Sequence, residues 1–400
     1  MTISRRVFLG TAALASIPKV LRGSTQAAPP VDRFDPWVEV IPDHLAKGVQ
    51  EVRRLTADRP ILAVVKNNGY GLGIGTVGAI LQEDPGVVGF AVVKGEEALE
   101  LRAAGVRKPI LLMGLFSSEQ GPELADAQVE FGIFTPDAAD RIVPLARATG
   151  RPVEVHFYLD TGMGRMGMSY RDAVPWMVEL HRRPEIRIRG TFTELGEDRE
   201  FDREQIRRFL EVIRTAKEAG VETGRLHAAA SNGVFHLPEG HLDLVRPGIA
   251  LFGSYPSEPE LERSLATLHS ALRFRARVVR VSHLSAGDGV GYGRPWIAEK
   301  PTWVATLPVG HADGFPRDAV NGGRVLIRNR TYPVIGAVSA SHCIVEIGEH
   351  LSVHLGDVAT LMGPDHPAIE PNRIADVLGV SVYDLLMHVN PSLPRFVVEA

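Results

Sequence analysis

Cysteine is almost absent from this chain, and the single thiol, Cys343, excludes both an intrachain disulfide and a cysteine-based structural zinc site. With only His342 beside it as a basic helper, Cys343 reads as a small buried side chain rather than a reactive thiol. None of the 14 histidines falls into a two-histidine helical spacing, so no metal is inferred. A long Lys/Arg block is also missing, and a formal charge of −4 leaves no electrostatic footprint for nucleic acid. No stretch reaches the roughly 20 consecutive apolar residues of a membrane span. The expected partner is a small molecule. What is present, 44% apolar and 23% charged residues over 400 positions, reads as a soluble globular protein of two packed units.

The amino terminus carries Ser4-Arg5-Arg6-Val7-Phe8-Leu9 ahead of a mildly apolar run from Gly10 to Ile17 and small residues ending in Thr25-Gln26-Ala27-Ala28. Residues 1–28 resemble a twin-arginine export signal, with a periplasmic or extracellular destination as the expectation. The alternative is a disordered basic tail.

From Ile61 to Gly253, short β-branched runs alternate with longer amphipathic stretches, the pattern of parallel strands joined by crossover helices. The runs Ile61–Lys66, Val87–Val93, Pro109–Met113, Glu130–Thr135, Val153–Leu159, Ile186–Thr193, Arg225–Ala229 and Leu244–Leu251 read as strands. Eight such units fit a closed (β/α)8 TIM-like barrel, although periodicity alone also allows an open doubly wound sheet. Gly95–Ala104, Pro136–Ala148, Ser169–Arg182 and Asp202–Ala219 read as helices. After about Leu268 the pattern becomes strand after strand: Arg273–Val281, Thr302–Val309, Val325–Ile327, Tyr332–Val338 and Val358–Leu361. Short helices at Arg373–Leu378 and Val382–His388 close it. The expected class is therefore α/β, with a barrel over 36–270 and a mostly β C-terminal domain over 271–400. The strand-like segment Trp37–Ile41 is expected to pair with the late domain.

Lys66 ends an apolar strand and is followed by Asn67-Asn68-Gly69-Tyr70-Gly71, at the barrel end where reactive groups gather. A buried ammonium costs several kcal/mol unless it is paired or neutralised. Forming an imine with a cofactor removes that cost; pairing with a carboxylate at a solvent-open strand end is the alternative.

The run Ala63-Val64-Val65-Lys66-Asn67-Asn68-Gly69-Tyr70-Gly71 resembles the cofactor-lysine motif of the alanine racemase family. Further resemblances follow in the family's order: Leu159-Asp160-Thr161-Gly162-Met163-Gly164-Arg165-Met166-Gly167, Val245-Arg246-Pro247-Gly248-Ile249-Ala250-Leu251-Phe252-Gly253, Gly291-Tyr292-Gly293 and Ala312-Asp313-Gly314. The ordered set is far more specific than any one match. The resemblance implies a fold-type III enzyme and a homodimer in which the partner's β domain completes each site. It implies pyridoxal 5'-phosphate carried on Lys66, with phosphate ligands Tyr70, Ser231, the backbone of Gly248 and Ile249, and Tyr383. Local reasoning agrees, since Ser231 begins a probable helix after a strand, and exposed N–H groups there suit a dianion. Tyr383 otherwise reads as a helix-surface aromatic. Arg246 matches the arginine facing the pyridine nitrogen, where a permanent positive charge opposes ring protonation and weakens the electron sink. Arg165 is implied to position the substrate carboxylate or a cofactor oxygen. Lys66 and Tyr292 are implied to be the two bases, Lys66 for the D-substrate proton and Tyr292 of the partner subunit for the L-substrate proton.

Departures from the family pattern cluster around the ring and the substrate. Glu194 stands where the family commonly has a histidine, Tyr158 replaces a lysine, His311 replaces a gate tyrosine, and Ala340-Ser341 replaces a Met-Asp pair. Ala340 is thereby implicated in substrate contact, and a range wider than alanine is expected. Two further functions fit the same lysine-bearing barrel: amino-acid decarboxylation, against which Arg246 argues, and noncatalytic cofactor carriage, against which the long Tyr292-bearing domain argues.

Overall fold

The computed structural model describes residue 30 and residues 32–399. The export-like segment at 1–28 lies outside the described residues. Strand β1 (Trp37–Val40) is followed by the helix Pro42–Leu55 and then by β2 (Ile61–Val64), β3 (Val87–Val92), β4 (Ile110–Leu112), β5 (Glu130–Ile133), β6 (Val153–Asp160), β7 (Met168–Ser169), β8 (Ile186–Thr193) and β9 (Arg225–His227). The strands β2-β3-β4-β5-β6-β8-β9 are adjacent in that order and parallel, with β7 added at the end of β6.

Closure of this sheet comes from a segment too short to form a ladder. Val245 bridges Ile61 in the parallel sense. Leu62 N–H donates to the Val245 oxygen at 2.9 Å, Val64 N–H to the Pro247 oxygen at 2.9 Å, and Arg246 N–H to the Ala229 oxygen at 2.8 Å. The eighth stave is therefore the vicinity of Val245, not the expected run to Leu251. Pro247 has no N–H to donate, and Ile249–Phe252 winds into a 3-10 turn. Inside the barrel Leu62, Val64, Ala91, Leu111, Tyr158, Phe192 and Leu244 form one apolar cluster. Strand residues of the opposite parity, including Phe90, Leu112, Phe131 and Val155, pack outward under the helices. Two helices begin three or more residues from their expected starts. Arg199–Glu218 starts earlier because the Asp198 side chain accepts from the N–H of Glu200 and Phe201, and Ala173–His181 starts later because Met168 and Ser169 pair with β6.

The remaining strands are β10 (Leu272–Arg277), β11 (Arg280–Leu284), β12 (Gly289–Val290), β13 (Trp296–Ile297), β14 (Thr302–Leu307), β15 (Arg324–Ile327), β16 (Arg330–Ile335), β17 (Cys343–Gly348), β18 (Val358–Met362) and β19 (Arg395–Val397). They build a nine-stranded sheet in the order β11-β14-β17-β16-β15-β18-β10-β1-β19, with β12 and β13 as a separate hairpin. Strand β1 lies antiparallel to β10 and parallel to β19, so the chain enters through the late sheet before it builds the barrel. The single strand expected over Arg273–Val281 is two strands. Val278 N–H donates to Asp357 and Val279 N–H to Thr306, which sends β10 and β11 to different parts of the sheet. Cys343 is buried at the start of β17, and burial pushes its thiol up to about 12, leaving it protonated at neutral pH. No helix among the described residues is long and apolar enough to cross a membrane.

The turn that ends Ile249–Phe252 depends on Gly253, whose φ is +83° and whose added Cβ would lie 1.7 Å from the His269 oxygen. Gly253→Ala should cost about 3 kcal/mol in urea unfolding, combining left-handed strain with the clash. Gly220→Ala, also at φ +83° but with nothing within 4 Å, should cost only about 1 kcal/mol. Equal losses would show that the close approach to His269 has no energetic weight.

Candidate active site

The β2 ladder ends at Val64, and Lys66 opens a corner rather than terminating a strand. Asn67, Asn68, Gly69 and Tyr70 follow with φ of 53°, 56°, 60° and 53°, a left-handed turn in which three residues carry a Cβ. Such a run costs about 1 kcal/mol or more per non-glycine residue, so neighbouring groups must hold it. The buried Glu97 carboxylate accepts from Asn67 N–H with one oxygen and from Val93 and Lys94 N–H, both at 3.2 Å, with the other. Asn68 Oδ1 accepts from Ile74 N–H at 3.1 Å. Lys66 is thereby fixed, partly buried, at the carboxyl end of the barrel.

Tyr70 at the end of this corner is buried and stacks on Phe252 at 4.7 Å, with Tyr383 at 6.3 Å. Ser231 begins a short helix, and its Oγ accepts from Gly248 N–H at 3.0 Å and Ala250 N–H at 3.3 Å. A Cβ on Gly248 would lie 2.2 Å from the Tyr70 hydroxyl oxygen, so glycine is what permits these groups to converge. Tyr383 is thus part of this cluster and not a free surface aromatic. Burial, reinforced for each phenol by the other groups of negative charge nearby, raises Tyr70 and Tyr383 above the usual phenol range and keeps both as hydrogen-bond donors.

Arg246 is 1% exposed and heads a polar column through the barrel interior. Its Nη1 donates to His227 Nδ1 at 3.0 Å, and its Nη2 donates to the main-chain oxygens of Thr193 at 2.8 Å and Ala228 at 3.1 Å. His227 Nε2 lies 3.0 Å from His156 Nδ1, and His156 Nε2 lies 2.8 Å from Glu130 Oε2. A guanidinium can only donate, so neutral His227 carries its hydrogen on Nε2 and His156 in turn donates to Glu130. Burial, then the Arg246 charge, depresses His227 well below its usual range and keeps it neutral. Burial would raise Glu130, but the His156 hydrogen bond and nearby arginines outweigh it and hold the carboxylate ionised.

Glu194 joins this column at its upper end, with Oε2 at 3.1 Å from Arg246 Nη2 and Oε1 at 4.0 Å from Arg165 Nη2. Arg165 is half-exposed beyond β6, in a loop where Asp160 accepts from Gly162 and Gly164 N–H at 2.8 and 3.1 Å. Tyr158 is buried beneath, stacked on Phe192 at 4.2 Å. The structure therefore brings Lys66, Tyr70, Arg165, Ser231, Arg246, Gly248, Ile249 and Tyr383 to one end of the barrel. Tyr292 stands apart, 88% exposed in the β12–β13 turn. Ala340 is also exposed, on a late-domain loop whose oxygen accepts from Ala312 N–H at 3.0 Å while Ser339 accepts from His311 N–H at 3.0 Å. Sequence reasoning missed Glu97, Glu130, His156 and His227. Inward parity within the strands was the available signal for the last three.

Because His227 is held neutral, the unfolded chain takes up a proton below about pH 6.5 that the folded chain refuses. Stability should then fall as the pH drops below 6.5, with His227 contributing about 1.4 kcal/mol per unit. Unfolding of His227→Gln should show a correspondingly shallower acid slope; parallel slopes would exclude a neutral buried His227.

Comparison with known proteins agrees with this arrangement. Residues 40–256 match the alanine racemase N-terminal domain family and residues 271–397 the alanine racemase C-terminal domain family. The chain is 32% identical over 365 residues to the alanine racemase of Desulforamulus reducens, covering 90% of this chain and 98% of that protein. It is 34% identical over 372 residues to that of Carboxydothermus hydrogenoformans, covering 90% and 99% respectively. Among solved structures, alanine racemase of Clostridium difficile 630 superposes with a TM-score of 0.85 at 26% identity, over 91% of this chain and 96% of that one. The Bacillus anthracis alanine racemase with bound L-Ala-P superposes with a TM-score of 0.82 at 28% identity, over 92% and 95%. With both domain families matched in order on a closed barrel and a late β sheet, the chain belongs to the alanine racemase family of pyridoxal-phosphate-dependent isomerases.

Proposed function

We propose that this chain racemises alanine and larger amino acids by two-base proton transfer, as a homodimer that holds pyridoxal phosphate at the Lys66 end of the barrel. The observation that carries the reading is the convergence of Tyr70, Ser231 and Gly248 beside the Lys66 corner. This cradle fits a phosphate dianion, because two short helical turns begin at Ser231 and Ile249 and the Tyr70 and Tyr383 hydroxyls remain donors. Arg246 fits a ring nitrogen that accepts rather than donates a hydrogen bond. When bound, pyridoxal phosphate supplies the electron sink that makes the Cα–H bond of an amino acid acidic.

The protein's own work is then positional. Lys66, in the family relation, is the covalent attachment point, and its released amine takes or returns the Cα proton on one face. Tyr292 of the partner subunit serves the other face. Removal on one side and return on the other inverts the centre with no net change in protons, and proton exchange with solvent then resets the base that gained a proton and the base that lost one. Arg165 is suited to hold the substrate carboxylate through a two-pronged contact. The exposure of Tyr292 supports action across an interface, since an aromatic side chain left 88% uncovered on a short hairpin finds little to touch in its own chain.

Borohydride reduction followed by peptide mapping should place the cofactor adduct on Lys66. Lys66→Ala and Tyr292→Phe should each abolish or severely reduce racemisation. Mixing the two inactive dimers under exchanging conditions should restore about a quarter of full activity, because half of the dimers are mixed and each carries one intact site. No recovery despite confirmed exchange would overturn the action of Tyr292 in trans.

The proposed breadth rests on Ala340 and His311, two departures from the family pattern that lie on hydrogen-bonded neighbouring loops. L-serine, L-methionine, L-lysine or L-arginine should be turned over beside L-alanine, with kcat/KM values separated by about 10- to 200-fold per methylene-sized misfit at most. Ala340→Met should narrow the range. Detectable turnover of alanine alone would defeat the wider pocket.

A further inference from the structure

The guanidinium of Arg246 is buried, yet three of its four protein acceptors are neutral: the Thr193 and Ala228 main-chain oxygens and His227 Nδ1. Glu194 is the fourth, and it is the carboxylate within ion-pair distance of Arg246 among the described residues. We propose that Glu194 is a positioning residue that sets the charge felt at the cofactor ring, pairing with Arg246 so that the ring nitrogen meets a neutralised ion pair instead of an isolated cation. This rests on the reading that Arg246 faces that nitrogen.

The placement is built into the barrel. Thr193 closes β8 and gives its carbonyl to Arg246 Nη2, which fixes the following residue beside the same nitrogen. The Glu194 carbonyl accepts from Gln205 Nε2 at 3.1 Å, and Gln205 is fully buried. Gly196 N–H donates to Gln205 Oε1 at 2.8 Å and to Asp202 Oδ1 at 3.0 Å, so the chain just beyond Glu194 is tied down as well.

Other groups facing Glu194 do not replace this pairing. Arg165 is 4.0 Å away with a side chain 56% exposed, so solvent screens it far more than the 1%-exposed Arg246. Tyr158, Tyr70 and Tyr383 lie near enough to feel the carboxylate, but burial already keeps each phenol neutral. Glu197, on the same loop, supplies no cation, and burial raises its carboxyl above the usual range. A carboxylate at this position differs in kind from the family's common histidine. A carboxylate 3.1 Å from the guanidinium can supply a negative counter-charge, which a histidine, neutral or positive, cannot. Pairing offsets part of the Arg246 field without supplying a proton to the ring, so the arginine retains its geometric role while its electrostatic one is reduced.

The test compares cofactor-loaded wild-type protein with Glu194→Gln, Arg246→Gln and the double variant by the pH midpoint of the bound cofactor's visible absorption. Removing a negative charge disfavours the protonated chromophore, so Glu194→Gln should move that midpoint down by about one unit. Arg246→Gln should move it up, the double variant should return towards wild type, and Glu194→Asp should recover part of the shift. In the cofactor-free proteins, thermal unfolding should show the two positions to be coupled, with the double variant losing less than the sum of the single losses. A shift with Arg246→Gln but none with Glu194→Gln would overturn the counter-charge role while leaving Arg246 at the ring. No shift with either would overturn this proposal and the placement of Arg246 together. Loss of stability in Glu194→Gln with an unmoved midpoint would make Glu194 merely structural and would also overturn it.

Discussion

The left-handed corner behind Lys66 is the constraint to which much of the molecule answers. Four successive residues with positive φ, three of them not glycine, do not hold themselves in place, and the barrel supplies only part of what restrains them. Glu97 comes from the next-but-one helix of the barrel, but Asn67 Nδ2 reaches Met387 Sδ at 3.1 Å, and Arg395 Nη2 donates to the Gly71 oxygen at 3.0 Å. Met387 and Arg395 belong to the end of the chain. The late domain therefore returns to hold the start of the barrel, and the adjacency of β1 and β19 in one sheet brings the two ends of the described chain into register for it. Without the Met387 and Arg395 contacts the corner would rest on Glu97 and Asn68 alone.

A second consequence concerns charge. A barrel interior filled only with Leu62, Val64, Ala91 and Leu111 could not accommodate a guanidinium, because an uncompensated buried charge is strongly destabilising. The interior is instead divided. One part is apolar; the other is a column running from Glu130 through His156 and His227 to Arg246 and Glu194, in which each intervening group has a donor matched to an acceptor. Two carboxylates stand at the ends of that column, and the hydrogen bonds through His156 and neutral His227 fix the orientation of the groups between them. Phe192 joins the two parts, lying against Tyr158 on one side and His227 on the other, with Arg246 5.0 Å from its ring centre.

What was legible in the sequence follows from this division. The parallel strands from Ile61 to His227 are short runs rich in apolar and β-branched residues, and their alternation with helices discloses the barrel. The ordered motifs mark Lys66, Tyr70, Arg165, Arg246 and Tyr292, whereas Ser231 and Tyr383 lie outside those runs and are implied by the resemblance. Closure at Val245 was harder to read, since Pro247 and Gly248 end the pairing inside a run that still looks strand-like. The division of Arg273–Val281 was hidden for a related reason: Val278-Val279 continues the β-branched pattern while its hydrogen bonds change partners. Strand β17, absent from the strands expected of the sequence, alternates cleanly from Cys343 to Gly348 with every second residue buried. The polar column had no local mark at all. Glu130, His156 and His227 are 26 and 71 residues apart in sequence, and each alone resembles an ordinary core or strand-edge residue.

The same division separates the kinds of change the fold can absorb. Groups around Lys66, Ser231 and Arg246 are coupled through main-chain atoms, so a substitution there alters a turn, a strand end or a buried charge as well as the site. Tyr292, His311 and Ala340 lie instead on turns and loops of the late domain, where the chain is already exposed and the supporting sheet is complete without their side chains. On the proposed function, cofactor retention and substrate range are therefore set by different parts of the chain. Glu194 is the departure that does not fit that separation. It lies at the end of a barrel strand, bound to the same Arg246 nitrogen as the strand's own carbonyl and within 4.0 Å of Arg165, so on the proposed function it touches both the cofactor side and the substrate side of the site.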